Sequence, residues 1–213
     1  MLTCLRDLLR CERGLAALEF ALLLPLLLLC LAGVTDLSMA VITGRRLTVA
    51  AQDVATIAST MAVQAGSLGT LTGEQAWQAT TAPFALFPAW LAPQPGPFAI
   101  TLSGVNFTAG GGGFSAATQW SVANPTGQIA LRPCGSLGPV PDDSAITLTT
   151  LPASVFGPTS LLVADVSTVF TPLFSGIFLG NITMSRSAFI SPRVNNGVAL
   201  NGPGPARTEL CPT

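Results

Sequence analysis

The chain has 213 residues, enough for one membrane segment plus one modest domain, or at most two small ones. Charged residues are 9% of the total, mean hydropathy is +0.60 and the formal net charge is −1, so nothing in the composition forms an electrostatic footprint for nucleic acid. There is no Lys, His or Tyr; without His the chain lacks the commonest general base and metal ligand, and Ser–His or Cys–His chemistry is excluded.

Residues 1–14 form a short polar leader carrying Arg6, Arg10 and Arg13. Asp7 and Glu12 offset them formally, but acidic residues count little in setting orientation. Arg45 and Arg46, beyond the apolar stretch, are a weaker and more distant pair, so the positive-inside bias places the N-terminus in the cytoplasm and the rest of the chain outside. Residues 15–35 are apolar apart from Glu19, and no charge occurs from 20 to 35. At 1.5 Å per residue such a stretch is long enough to cross a bilayer, which takes roughly 20 residues. A lone carboxylate just inside its start is expensive and needs a reason.

A cleaved secretory signal competes with this span, with Ser38-Met39-Ala40 as its small-x-small site, but the run is long for a signal core. A lipoprotein signal at Cys30 is disfavoured, because Leu27-Leu28-Leu29 stands where a small residue is wanted. A retained transmembrane helix at 15–35 fits best. Pro25 lies inside it and favours a kink, and Ala32 with Gly33 gives a small face near the far end.

Periodicity then predicts that the helix continues outside the membrane over 36–66. Leu37, Val41, Leu47, Val54, Ala58 and Met61 recur near helical spacing, and the stretch packs on its own domain. Gly44 is a candidate bend, and Gly66-Ser67-Leu68-Gly69 supplies the stop.

Residues 67–193 read as a β-rich extracytoplasmic domain. Glu74 to Ala79 predicts a short helix, and Pro83, Pro88, Pro93, Pro95 and Pro97 enforce irregular or extended chain after it. Strand patterns follow at 98–103 and 119–123, with weaker ones at 129–131 and 145–151. The glycines at 110–113 predict a flexible turn; no Lys-Ser or Lys-Thr follows, so they are not a phosphate loop. Asn124-Pro125-Thr126-Gly127 closes a strand, and 132–143 reads as a loop.

The clearest pair is 161–170 with 182–190, two alternating runs that predict antiparallel neighbours. Their connection holds Leu173, Phe174, Ile177, Phe178 and Leu179, which is greasy for a surface loop. Burial under the helix and an exposed contact patch are the two readings. Residues 194–213 are a Gly/Pro/Asn-rich tail, poorly ordered unless Cys211 anchors it. Cys134 and Cys211 can pair if the distal part sits in an oxidising space; two unpaired thiols is the competing reading. The whole pattern predicts an α+β fold, a long N-terminal transmembrane helix extending into a small antiparallel-sheet domain.

Two separated regions resemble one family. Gly14 followed by Leu15-Ala16-Ala17-Leu18-Glu19-Phe20 resembles the processing site of type IV prepilins and pseudopilins. The longer run through Pro25, Gly33 and Asp36 looks like the N-terminal helix of the TadE/TadG-like branch of tight-adherence (Flp) pilus proteins. The second region is similar to the C-terminal part of TadE-like proteins: strand, Phe170-Thr171-Pro172-Leu173, Gly180, strand, Pro192-Arg193. It has Phe170 where the family often carries Tyr.

The resemblance implies cleavage after Gly14 by a prepilin peptidase. Leu15 would become the first residue, which puts Glu19 fifth, where it would neutralise the new ammonium on its own chain or on a neighbouring subunit. It also implies a bacterial inner-membrane protein with a periplasmic domain. Its partners would be membrane lipid, the peptidase, other pilin or pseudopilin subunits and the assembly platform, and no cofactor. Glu19, Phe20 and Pro25 are then the residues of assembly.

Two other functions compete. An anchored enzyme would draw on Glu74, Asp142, Asp143 and Asp165, but Asp142-Asp143 is one carboxylate pair where calcium wants 6–8 oxygens. Asp165, mid-strand, faces solvent or pairs with Arg186. The pattern names no catalytic, cofactor or metal residue, so the expectation is a protein that is not an enzyme. A membrane-anchored or released binding or adhesive domain unrelated to pili is the other alternative. The acceptor patterns at Asn106-Phe107-Thr108 and Asn181-Ile182-Thr183 are chance matches in a bacterial pilus protein.

Overall fold

A computed structural model describes residues 12–64, 69–86, 98–123, 130–174, 176, 180–192, 197–205 and 207–212. Residues 1–11 of the leader, residues 65–68 at the stop after the helix, Pro88 to Pro97, the turn at 124–127, Ile177, Phe178, Leu179 and Arg193 lie outside the described residues. The architecture is α+β, a long apolar N-terminal helix followed by a mixed-sheet domain. The chain divides into two compact units: Met1–Ile42 with Pro172–Asn181, and Thr43–Thr171 with Ile182–Thr213.

Helix α1, Glu12–Gln64, contains Pro25 and continues through Gly44 without a break. In the first unit its side chains from Leu18 to Leu31 include none that is buried. The hydroxyls further along bond back into the helix. Thr35 Oγ1 donates to the Leu31 carbonyl at 2.9 Å and Ser38 Oγ to that of Val34 at 2.8 Å.

In the second unit α1 presents a buried stripe of Leu47, Ala50, Ala51, Val54, Ala55, Ala58 and Ala62. Those spacings of three and four put one narrow face inward. Its small side chains let the helix axis lie close to what it packs on. Leu37 and Val41, read above as part of this packed face, are exposed instead.

The main sheet has strand order β5-β4-β3-β2-β6-β7, with β9 also paired to β3. The strands are β2 Ala99–Gly110, β3 Gly113–Ala123, β4 Gly135–Val140, β5 Thr150–Pro152, β6 Leu161–Phe170, β7 Ile182–Ile190 and β9 Arg207–Leu210. Most pairs are antiparallel, including β6 with β7, but β4 and β5 are parallel. A separate parallel pair joins β1, Thr70–Thr72, to β8, Ala199–Asn201.

The β2–β3 hairpin turns at Gly111 and Gly112, both at positive φ, as a two-residue turn matched to sheet twist requires. Alternation sends Ile100, Leu102, Val122, Leu162, Ala164 and Val166 to the cluster that includes the α1 stripe. Val105, Ala116, Leu161 and Val163 go to a second cluster with Leu137 and Leu151.

Helix α2, Gly73–Leu86, starts on a reciprocal cap. Thr72 Oγ1 accepts from the Gln75 N–H at 3.2 Å, and Gln75 Oε1 accepts from the Thr72 N–H at 2.9 Å. This helix is longer than the sequence pattern implied and runs through Pro83. Only one turn follows the proline, so a single backbone hydrogen bond is forfeited.

Other local readings also change. Residues 132–143 contain β4, whereas Ala130, Leu131 and 145–149 are not strand. Pro139 is tolerated in β4 because it lies past the residues that pair with β3. The described part of the tail is built into the domain. Val198 is buried and its carbonyl accepts the Trp120 indole N–H at 2.6 Å, β8 and β9 are paired, and Cys211 is disulfide-bonded to Cys134. At Gly73 a β-carbon would overlap the Gly204 backbone, so glycine at both positions lets the tail cross the start of α2.

Candidate functional site

The N-terminal part of α1 carries the residues singled out from the sequence. Gly14 and Leu15 fall within its first turns. Glu19 and Phe20 are exposed, as are the leucines that follow, and Pro25 lies inside the helix. Among the described residues Glu19 makes no ion pair. Cys30 is a free, exposed thiol, and around Gly33 there is open space. A helix apolar on every side, with none of its most apolar window buried, fits a single-pass membrane anchor.

Among the described side chains of this unit, one acidic residue is not exposed. Asp36 is 6% exposed. Its Oδ1 accepts the Leu173 N–H at 2.8 Å and the Phe174 N–H at 3.3 Å, and its Oδ2 accepts the Phe174 N–H at 3.2 Å. The side chains of that turn face outward, with Leu173 70% and Phe174 51% exposed. The reading of burial under the helix is therefore wrong for these two residues; their backbone is held and their side chains are free. Sequence reasoning saw the downstream acid only as part of a resemblance. The signal that could have found its role was the apolar turn itself, whose N–H groups need an acceptor.

In the sheet domain the charged centre is Arg132, fully buried, with Asp165. Its Nε and Nη2 donate to Asp165 Oδ2 and Oδ1, each at 3.0 Å, and its Nη1 donates to the carbonyls of Leu148 and Thr150. Ser187 Oγ donates to Asp165 Oδ1 at 2.6 Å. Asp165 therefore pairs with Arg132, not with Arg186, which sits opposite Val166 in the ladder and so points to the other face. The forked geometry ties the 130–150 segment onto the sheet.

A cleft of about 310 Å³ lies beside this centre, lined by Thr101, Thr147, Asp165, Ser167 and Ser187 among others. Its carboxylate is already committed to a guanidinium and a hydroxyl, so it offers no free base. Asp142 accepts the Ser154 N–H at 3.0 Å, and Glu74 accepts from Gln78 at 3.4 Å. Among the described residues no three His, Cys, Asp or Glu side chains cluster to hold a metal ion.

The comparison with known families falls on the helix. Residues 14–56, which hold the apolar part of α1 and the first half of the packed stripe, match the family model of TadE-like proteins. No curated protein and no solved structure matches the chain. The family points to Tad pilus-related processes and to pilus-related protein interactions in general.

Proposed function

We propose that the protein is a TadE-like pseudopilin or minor pilin that takes part in assembling a tight-adherence pilus through its N-terminal helix. The observation that carries this reading is Glu19, an exposed carboxylate and the one charged residue of the apolar run 15–35, within the stretch that matches TadE-like proteins. Prepilin peptidase cuts after Gly14, and the ammonium created at Leu15 lies one helical turn from Glu19. In the apolar phase an opposite charge at that range stabilises both groups, on one chain or between neighbours. Phe20 and the flanking leucines supply the lateral packing surface, and Pro25 a local loosening of the helix.

The protein sits in the bacterial inner membrane with its N-terminus cytoplasmic and its sheet domain periplasmic. A disulfide between Cys134 and Cys211 agrees with an oxidising compartment. Its work is docking to lipid, to other pilin subunits and to the assembly platform, and it performs no catalysis.

The test is the N-terminus of the mature chain, read by mass spectrometry from membranes with and without the peptidase. The expected result is a chain starting at Leu15 only when the peptidase is present. A chain that keeps Met1 in both cases removes the prepilin reading. A soluble chain starting near Val41 points instead to a secreted binding domain.

A further inference from the structure

The turn at Leu173 and Phe174 has a partner of definite chemistry. Asp36 lies eighteen residues beyond Leu18. At 1.5 Å per residue that is about 27 Å along the helix, the far margin of a hydrocarbon layer of roughly 30 Å. Exposed apolar side chains continue past it at Leu37, Met39 and Val41. The segment Pro172–Asn181 belongs to the same compact unit as this part of the helix, and no charged residue occurs between Asp165 and Arg186.

A turn in water has no need of a buried carboxylate for its N–H groups, since water satisfies them. A turn in an apolar phase does, because no water is there to accept from an unsatisfied backbone N–H. Asp36 supplies that acceptor for two successive N–H groups, while the side chains of the same residues point outward. The Thr35 and Ser38 hydroxyls beside it are satisfied within the helix in the same way.

We propose that Leu173 and Phe174 form a wedge in the acyl–headgroup boundary of the leaflet where α1 leaves the bilayer, held there by Asp36. The lipid surface is favoured over a protein partner by continuity. The wedge extends the exposed apolar side of the span itself, and it carries two apolar side chains with no charge to confer specificity on a protein contact. The wedge rests on the helix being a membrane anchor, and the experiment separates the two.

The full chain, with Cys4, Cys11 and Cys30 changed to Ser and the disulfide intact, is labelled with an environment-sensitive fluorophore at Phe174→Cys, Met39→Cys or Asp143→Cys. Each form is placed in nanodiscs containing spin-labelled phosphatidylcholine. The expected result is quenching at position 174 comparable to that at 39, and little at 143. Adding Asp36→Leu should lower quenching at 174 about twofold or more as the turn lets go of the helix, with Asp36→Asn, which keeps a carbonyl acceptor, close to the parent.

Quenching at 174 as low as at 143, with 39 strongly quenched, overturns the wedge and leaves the anchor standing. Low quenching at both 174 and 39 overturns the anchor and the wedge together. Unchanged quenching in Asp36→Leu overturns the role of Asp36. A photoreactive residue at Leu173 in native membranes should give lipid adducts; discrete adducts with a second copy or with another protein would mean the turn is a subunit contact and overturn the lipid assignment.

Discussion

Helix α1 is one element with two surfaces. From Leu18 to Leu31 no side chain is buried, and the residues are mainly leucine. From Leu47 to Ala62 a narrow stripe is fully buried, and five of its seven members are alanine. Leucine is the residue for lipid, where bulk is solvated by acyl chains and nothing must fit. Alanine is the residue for a face that a sheet approaches closely, where every methylene must be accommodated. Hydrophobicity alone does not separate the two halves; side-chain size and the polar residues interleaved with the stripe do.

The comparison breaks most sharply at Arg132. Arg132→Leu leaves Asp165 beside an apolar side chain, and removing one partner of a buried ion pair costs about 3–5 kcal/mol. The thermal unfolding transition of the sheet domain, followed by near-ultraviolet circular dichroism in detergent, should fall steeply. Carbonate-resistant membrane retention should not change, because the hydrogen bonds of this centre run to Asp165, Leu148 and Thr150 within the sheet domain. Loss of retention together with stability would mean that the two halves are not independent.

Next in size is the disulfide. Cys134 and Cys211 are 77 residues apart in sequence, and changing both to Ser should cost about 2–4 kcal/mol by freeing the unfolded chain. The same midpoint shift should appear in the parent protein on reduction. A reduced protein as stable as the oxidised one would mean that β8, β9 and the Trp120–Val198 contact hold the tail unaided.

Smaller again is Ala55→Leu. Added methylenes at a fully buried position of the stripe should destabilise the domain by about 1–3 kcal/mol. A neutral effect would mean that the helix–sheet spacing is looser than the alanines imply.

These sites differ in how legible they were. The helix could be read along nearly its whole length, because both halves follow simple rules of hydropathy and period. The β6–β7 pair could be read because its side chains alternate strictly and partition between the two clusters. What could not be read were features made by distant partners. Asp165 has a plausible neighbour in Arg186 two strands' worth of sequence away, yet the pleat turns Arg186 to the opposite face and brings in Arg132 from a segment with no strand pattern. The tail looked loose from its glycines and prolines. Yet Gly204 is required by a close crossing with the Gly73 backbone that only the folded chain creates, and Gly197 and Gly202 hold positive φ. Strand β4 was hidden by Gly138 and Pro139, since little in its side chains signals a sheet. The cap Thr72-Gly73-Glu74-Gln75 was visible in principle, as Thr followed three residues later by Gln.

The smallest expected effect is the one that isolates the two surfaces. Leu27 is exposed on the apolar half, and Leu27→Ala removes bulk from it without creating a cavity inside the protein. In the sheet domain a leucine truncated to alanine at a buried site typically costs 2–5 kcal/mol, as Leu102→Ala should. At Leu27 the same chemical change should leave the domain's unfolding midpoint where it was, because the side chain is exposed and its loss opens no cavity in the protein. Under the proposed function, any consequence should appear as reduced crosslinking between the N-terminal helices of neighbouring subunits. A shift of the domain midpoint by Leu27→Ala would show that this half of the helix is packed against protein in the isolated chain, and the division of α1 into a lipid-facing and a sheet-facing half would fail.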